Sequence, residues 1–256
     1  MEPKAPKIGT KMSGDEAKAF IDELNAKVLQ RWEERVTRGA FVARLVDGKL
    51  PLSAIKLFFR NWGAFTIEIN TLIAASYQKH LGFFKRHFDL LAPLGEKIAD
   101  EFIHPKPPGH VLVMMQTAKA LGLTEQETLR QPMLPEARAI LDFKRALLWE
   151  GTVAEWWFSM LTEEPIGHWA AAWFRALTTH YGFSHEQAIY FSTHEEADLK
   201  EHDGVMGHGS FNRLVMQRIL EDGYGDTREG YTLEYCALAS VDLYGLMHRG
   251  AYEQGI

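Results

Sequence analysis

The sequence predicts an all-α fold, and three observations indicate it. Apolar residues recur with the period of about 3.6 residues that marks an amphipathic helix in nearly every long segment. The alternating pattern of a half-buried strand is almost absent. Short stretches rich in Gly, Pro and charged residues separate the periodic segments. We therefore expect one helical domain of eight or nine helices over residues 13–256, after a flexible tail over residues 1–12.

Capping and turn residues place the helix boundaries. Ser13 and Glu16 stand in capping-box spacing before an apolar run and start the first helix. Gly48 ends a helix, and Pro51 suits the first turn of the next one, over about 52–79. That helix is apolar on nearly all sides and should be central. Further helices are predicted over about 84–100, 109–121, 134–162, 166–180, 185–221 and 231–252.

The composition excludes several classes of function. The net charge of -6 and the scattered Lys and Arg residues argue against nucleic acid and anionic membranes as partners. A single cysteine, Cys236, excludes a disulfide framework and Cys-based zinc sites, which favours a reducing compartment. The sequence shows no signal peptide, transit pattern or membrane-spanning apolar run, so we expect a cytoplasmic protein.

Glu68 is an unusual acid because it lies in the apolar run AFTIEINTLIAA. A helix seldom buries a carboxylate unless the charge is paired or binds a metal. No lysine or arginine occupies the neighbouring helical positions of the same segment. Glu68 is therefore a candidate metal ligand, and the alternative is a glutamate that pairs with an arginine from another helix or reaches solvent.

The segment HEEADLKEH holds a row of three metal-capable side chains, His194, Asp198 and His202. Steps of four residues keep all three on one helix face, with a rise of about 6 Å per step. Such a row suits an extended centre, such as two metal ions about 3.5 to 4 Å apart. The alternative is a solvated, charged face, because Glu and Lys residues alternate with the row.

A paired-metal site between helices needs about six carboxylate and imidazole ligands from several helices. Two further segments offer candidates. They are Glu101, His104 and His110 around a Pro-rich loop, and Glu155, Glu163 and Glu164 near the end of a long apolar helix. Spacing alone does not choose among them.

The order of these motifs resembles the haem-oxygenase-like superfamily, which includes thiaminase II and pyrroloquinoline-quinone synthase. The motifs are Glu68 in an early central helix, ADEF followed by GH, a Thr-Glu after a Trp-rich helix, HYGFSHEQAIYF, and HEEADLKEH. The pattern is most similar to the haem-oxygenase-like di-iron oxidases and oxygenases. It covers roughly residues 40–250, and its most specific motif is the last.

The resemblance implies that the metal ligands are Glu68, Glu101, His110, Glu163, His194, Asp198 and His202. In the family the last histidine usually follows the aspartate by three residues, and in this chain Glu201 occupies that position. Either His202 binds through a local bulge of the helix or Glu201 replaces it. The choice of ligand between His104 and His110, and between Glu155 and Glu163, also stays open.

The resemblance implies two iron ions, or iron with manganese, that use dioxygen to oxidise a small organic substrate. It implies no haem, because no histidine precedes Glu68 where a haem ligand belongs, and no nucleotide. Relatives commonly form homodimers. One alternative is a metal-free enzyme like the quinone synthase or thiaminase II, although Cys236 and the missing arginine disfavour both. Another is a helical binding protein without catalysis.

Overall fold

Every regular element in the described part of the chain is helical. The computed structural model describes residues 9–103, 109–199 and 206–256, and no strand occurs among them. The all-α prediction is therefore confirmed. None of the described helices combines the length and the apolar character needed to cross a membrane.

The helices follow one another through short turns. Helices α1 to α7 run over Gly14–Trp32, Ala40–Val46, Leu52–Lys79, Leu81–Phe84, Leu91–Phe102, His110–Ala120 and Glu125–Leu129. Helices α8 to α13 run over Pro135–Trp149, Val153–Phe158, Glu163–His180, Ile189–Leu199, His208–Glu221 and Leu233–Gly255. A π-helical turn, Glu33–Thr37, continues α1, and 3-10 turns occupy Phe88–Leu90, Ser159–Thr162 and Glu186–Ala188.

Two predicted boundaries are confirmed. The Ser13 hydroxyl accepts a hydrogen bond from the Glu16 backbone N–H at 3.3 Å, and the Glu16 carboxylate accepts one from the Ser13 N–H at 2.9 Å. This reciprocal pair is the capping box that starts α1. Helix α3 begins after Pro51 and spans the predicted range, with buried residues along its whole length.

The prediction of eight or nine helices is wrong, because turns divide segments that the periodicity joins. The predicted helix over 134–162 breaks at Gly151, and the Thr152 hydroxyl caps α9 by accepting from the Glu155 N–H at 3.2 Å. Conversely, Pro165 does not separate two helices. It lies in the first turn of α10, where an N–H has no helical partner to lose.

The predicted helix over 185–221 is also divided, into α11 and α12. The sequence between them contains Gly204 and Gly207, and Gly207 is the N-cap of α12. Glycine weakens a helix interior because it loses the most backbone freedom on folding. Residues 200–205 lie outside the described part of the chain, so His202 is not placed.

Helix α3 lies at the centre and packs against α6, α7, α8 and α13. Its aromatic side chains lie in a large apolar cluster. The centroid of the Trp62 ring is 5.4 Å from that of Phe58 and 5.0 Å from that of Trp169. Helix α11 packs against α6, α10 and α12, and α5 packs against α3, α6 and α12. Helices α5, α6, α10, α11 and α12 therefore form one connected set, which packs against α3 through α5 and α6.

Candidate metal centre

One group of buried acid and imidazole side chains joins α5, α6 and α11. It consists of Glu101, His110 and His194, whose exposed fractions are at most 8%. His110 Nδ1 lies 3.3 Å from Glu101 Oε1, and the His110 and His194 rings are 4.3 Å apart between centroids. One ligand atom from each residue lies within 4.8 Å of the other two. We call this set the first group.

A second group joins α10, α11 and α12. It consists of Glu163, Asp198 and His208, which are all buried and have ligand atoms within 4.8 Å of one another. His208 Nδ1 lies 3.1 Å from Asp198 Oδ1. The His208 ring is 6.3 Å from the ring of His110 between centroids, so the two groups are neighbours.

The two groups together suit a pair of iron or manganese ions. They offer three carboxylates and three imidazoles, and this mixed set matches metals of intermediate hardness. Three protein ligands at each position also leave room for other ligands. Helix α11 contributes to both groups, because His194 belongs to the first and Asp198, one turn later, to the second.

Neighbouring polar groups orient three of these side chains. The Asn70 amide donates to Glu101 Oε2 at 2.6 Å. Asp100 Oδ2 lies 3.0 Å from His208 Nε2 and so fixes the ring with Nδ1 toward Asp198. His194 Nδ1 lies 3.3 Å from the Tyr190 carbonyl oxygen, which leaves Nε2 free to bind an ion. A carboxylate or carbonyl behind a histidine is typical of metal sites.

Burial and neighbouring charges shift the pKa values of the cluster. Burial acts to raise the pKa of Glu101, but His110, His194 and His208 outweigh it and hold that pKa below the usual range. Burial, helped by His110, lowers the pKa of His194 to about 3, so its ring is neutral at pH 7. Burial and Lys97 lower the pKa of His208, but hydrogen bonds to Asp100 and Asp198 raise it to about 9.

The structure brings together five of the seven predicted ligands, namely Glu101, His110, Glu163, His194 and Asp198. It does not bring in Glu68. The Glu68 carboxylate accepts from Arg138 at 2.8 Å and from Arg145 at 2.9 Å, and its side chain is 33% exposed. Both arginines lie on α8, so they pair with Glu68 across helices as the alternative interpretation required.

Other predicted candidates also lie elsewhere. The fully buried Glu155 carboxylate accepts from the Arg228 backbone N–H at 2.5 Å and from its Nε at 2.8 Å, which leaves Glu163 as the mid-chain candidate. Glu164 pairs with Arg213 and the Asn25 amide. His104, Glu201 and His202 lie outside the described residues.

His208 is a site residue that the sequence reasoning missed. The sequence predicts one uninterrupted helix over 185–221, in which His208 lies beyond the row of HEEADLKEH. In the structure His208 lies on α12, whereas His194 and Asp198 lie on α11. A signal was present in GVMGHG, because two closely spaced glycines can interrupt a helix, so that the histidine after the second one begins a new helix. His208 is the first residue of α12 and approaches Asp198 from there.

A cavity of about 50 Å³ adjoins the two groups, which is room for a few molecules the size of water. Five of the six group members line it, and the rest of its wall is mostly apolar. The apolar residues are Trp62, Phe65, Ile69, Ile73, Met160 and Ile166. Tyr190 and Tyr244 also line it, and the Trp62 indole N–H donates to the Tyr190 hydroxyl at 2.7 Å.

Residues 80–235 match the model of a haem-oxygenase-type family described as iron-containing redox enzyme. The matched range is more than half of the chain and contains all six members of the two groups. The comparison with curated proteins finds no match.

Solved structures share the fold at low sequence identity. A domain of unknown function with a haem-oxygenase-like fold from Shewanella denitrificans OS217 is 14% identical, with a TM-score of 0.69 over 91% of this chain and 92% of that chain. A TenA homologue from Pseudomonas syringae pv. tomato is 14% identical, with a TM-score of 0.68 over 98% and 100%. A CADD-like protein of unknown function from Nostoc punctiforme is 14% identical, with a TM-score of 0.62 over 92% and 98%. At this identity the likeness shows the fold alone.

Proposed function

Because this chain belongs to the family of haem-oxygenase-like iron-containing redox enzymes, we propose that it is a dioxygen-dependent oxidase or oxygenase with two iron ions, or iron and manganese. The observation that supports the proposal most is the buried pair of ligand groups. A carboxylate is rarely buried without a compensating partner, and in this protein three are buried together with three imidazoles.

Each of the two groups would supply the ligands of one ion. Glu101, His110 and His194 would hold one ion, and Glu163, Asp198 and His208 the other. When bound, such ions supply electrons to dioxygen and so provide the oxidising chemistry. The protein's part is to fix the ligands, which Asn70 and Asp100 do through their hydrogen bonds, and to line the rest of the cavity mainly with apolar and aromatic side chains.

The cavity lining indicates the class of substrate. Among the described residues that line it there is no lysine or arginine, and apart from the five group members the lining residues are mainly apolar or aromatic. We infer that the reacting part of the substrate is small, apolar and uncharged. The hydroxyls of Tyr190 and Tyr244 can orient one polar atom of it, because burial raises the pKa of both and keeps them protonated.

Hydrolysis by a cysteine nucleophile is disfavoured. Cys236 is fully buried on α13, and burial raises the pKa of its thiol to about 12, so little thiolate forms at pH 7. Cys236 is also not among the residues that line the cavity.

The test is reconstitution under anaerobic conditions with ferrous iron, followed by metal analysis and measurement of oxygen uptake. We expect about two irons per chain and consumption of dioxygen when oxygenated buffer is added. Fewer than one iron per chain, together with no oxygen uptake and no transient absorbance change, would contradict the proposal. We also propose that the protein forms a homodimer, and light scattering coupled to size-exclusion chromatography tests this separately.

A further inference from the structure

Lys97 is a buried lysine directly beside the second group. It lies on α5 with 3% of its surface exposed, and its ammonium donates a hydrogen bond to the Glu163 carboxylate. Its charge also acts on Asp198 and His208. Lys97 therefore contacts one member of the second group, Glu163, and its charge acts on the other two. In the first group, Glu101 instead accepts from the neutral amide of Asn70.

The charges around Lys97 explain why a lysine is buried there. The carboxylates of Glu163 and Asp198 are both buried, and a buried anion is costly unless a cation pairs with it. The Lys97 ammonium supplies part of the positive charge that a divalent ion would supply at the same place. A metal ion bound by Glu163 and the Lys97 ammonium therefore compete for the same carboxylate.

We propose that Lys97 substitutes for the second metal ion, and that an ion binds to Glu163, Asp198 and His208 only by displacing the Lys97 ammonium from Glu163. Lys97 thereby makes the second position weaker than the first, so that ions bind in order. This inference rests on the proposed function, because it takes both groups to be metal positions.

The test measures binding of Mn²⁺ alone, which needs no dioxygen and no substrate. Titration followed by the electron paramagnetic resonance signal of free Mn²⁺ gives the number of ions bound and each dissociation constant. For the wild-type chain we expect one tight and one weaker ion. In Lys97→Met we expect the dissociation constant of the second ion to fall about tenfold or more, with little change for the first.

Lys144→Met is the matched control. Lys144 is also fully buried and its charge acts on Glu163, but its ammonium donates to the carbonyl oxygen and hydroxyl of Ser159 rather than to a member of either group. We expect the dissociation constant of its second ion to change much less than that of Lys97→Met, because no bond to Glu163 is removed. Lys97→Arg keeps the charge and should keep the second ion weak.

Thermal unfolding separates folding from binding. Without metal, Lys97→Met should unfold at a lower temperature than the wild type, because Glu163 and Asp198 lose a cation, and Mn²⁺ should raise its unfolding temperature more than it raises that of the wild type. A variant that folds only with Mn²⁺ is the strongest form of this result.

Two results would overturn the inference. One is second-ion binding by Lys97→Met that is unchanged or weaker than wild type, because Lys97 would then support Glu163 as a ligand rather than compete with the ion. The other is a variant that stays unfolded in saturating Mn²⁺. If instead the wild-type chain binds neither Mn²⁺ nor Fe²⁺, the proposed function itself fails.

Discussion

Two acidic regions of this molecule resemble each other in sequence and differ in structure. Glu68 lies within an apolar helical segment and Glu163 near the end of another, and the family resemblance implies that both bind metal. Glu163 lies with Asp198 and His208 inside the protein, whereas Glu68 lies between two arginines with its side chain one-third exposed. An acid in an apolar helix therefore indicates a partner that offsets its charge. Where the partners are arginines, as at Glu68, the result is an ion pair, and where they are further acids and histidines, as at Glu163, the result is a candidate metal site.

Removing a ligand from the first group should have the largest effect. In His194→Ala the first position keeps only Glu101 and His110, so we expect iron content to fall to one ion per chain or less and oxygen uptake to fall by about 100-fold or more. Metal analysis and an oxygen electrode measure both quantities. Retention of two irons and normal uptake would remove His194 from the site.

The last histidine ligand can be identified by two variants. We expect His208→Ala to weaken binding of the second ion by roughly 100-fold, and His202→Ala to leave it unchanged, because among the described residues His208 lies 3.1 Å from Asp198 and completes the second group. Mn²⁺ titration of the two variants side by side measures this. The opposite order of effects would restore the sequence-based assignment of His202.

Loss of the carboxylate behind His208 should have a smaller effect. Asp100 holds His208 Nε2 at 3.0 Å, and residues in that position typically change metal affinity by about 10- to 100-fold. We expect Asp100→Ala to weaken the second ion by about tenfold and to spare the first. Equal weakening of both ions would indicate a general loss of structure instead.

Glu68→Gln should have the smallest effect and serves as the control for the ligand variants. Its ion pairs are partly exposed, so we expect the free energy of unfolding to fall by roughly 1 kcal/mol or less. Iron content and oxygen uptake should stay at the wild-type level. Chemical denaturation and metal analysis check the two parts, and a loss of iron in this variant would return Glu68 to the ligand set.

Prediction from sequence succeeded where the cause is local. The apolar periodicity of 52–79 and the turn at Pro51 set the bounds of α3, and the Ser13 to Glu16 spacing set the start of α1. The four-residue step from His194 to Asp198 likewise placed both on one buried face of α11. Each of these features depends on residues within a few positions of one another.

Prediction from sequence was weaker where a helix is interrupted although its apolar periodicity continues. The helix over 185–221 carried enough apolar and charged periodicity to look continuous, yet α12 begins only at His208. His202 lies outside the described residues, so the structure does not test the extension of the row beyond Asp198. The start of α12 at His208 places its ring where it reaches Asp198 from another helix.

The sequence by itself determined that this protein is helical, that α3 is central, and which acids and histidines were available to bind metal. Only the tertiary structure decided which of them meet. Arg138 pairs with Glu68 across 70 positions of the chain, and Lys97 pairs with Glu163 across 66. Helix periodicity repeats every few residues and therefore depends on neighbouring positions in the sequence, whereas the partner of a buried charge depends on how distant helices pack.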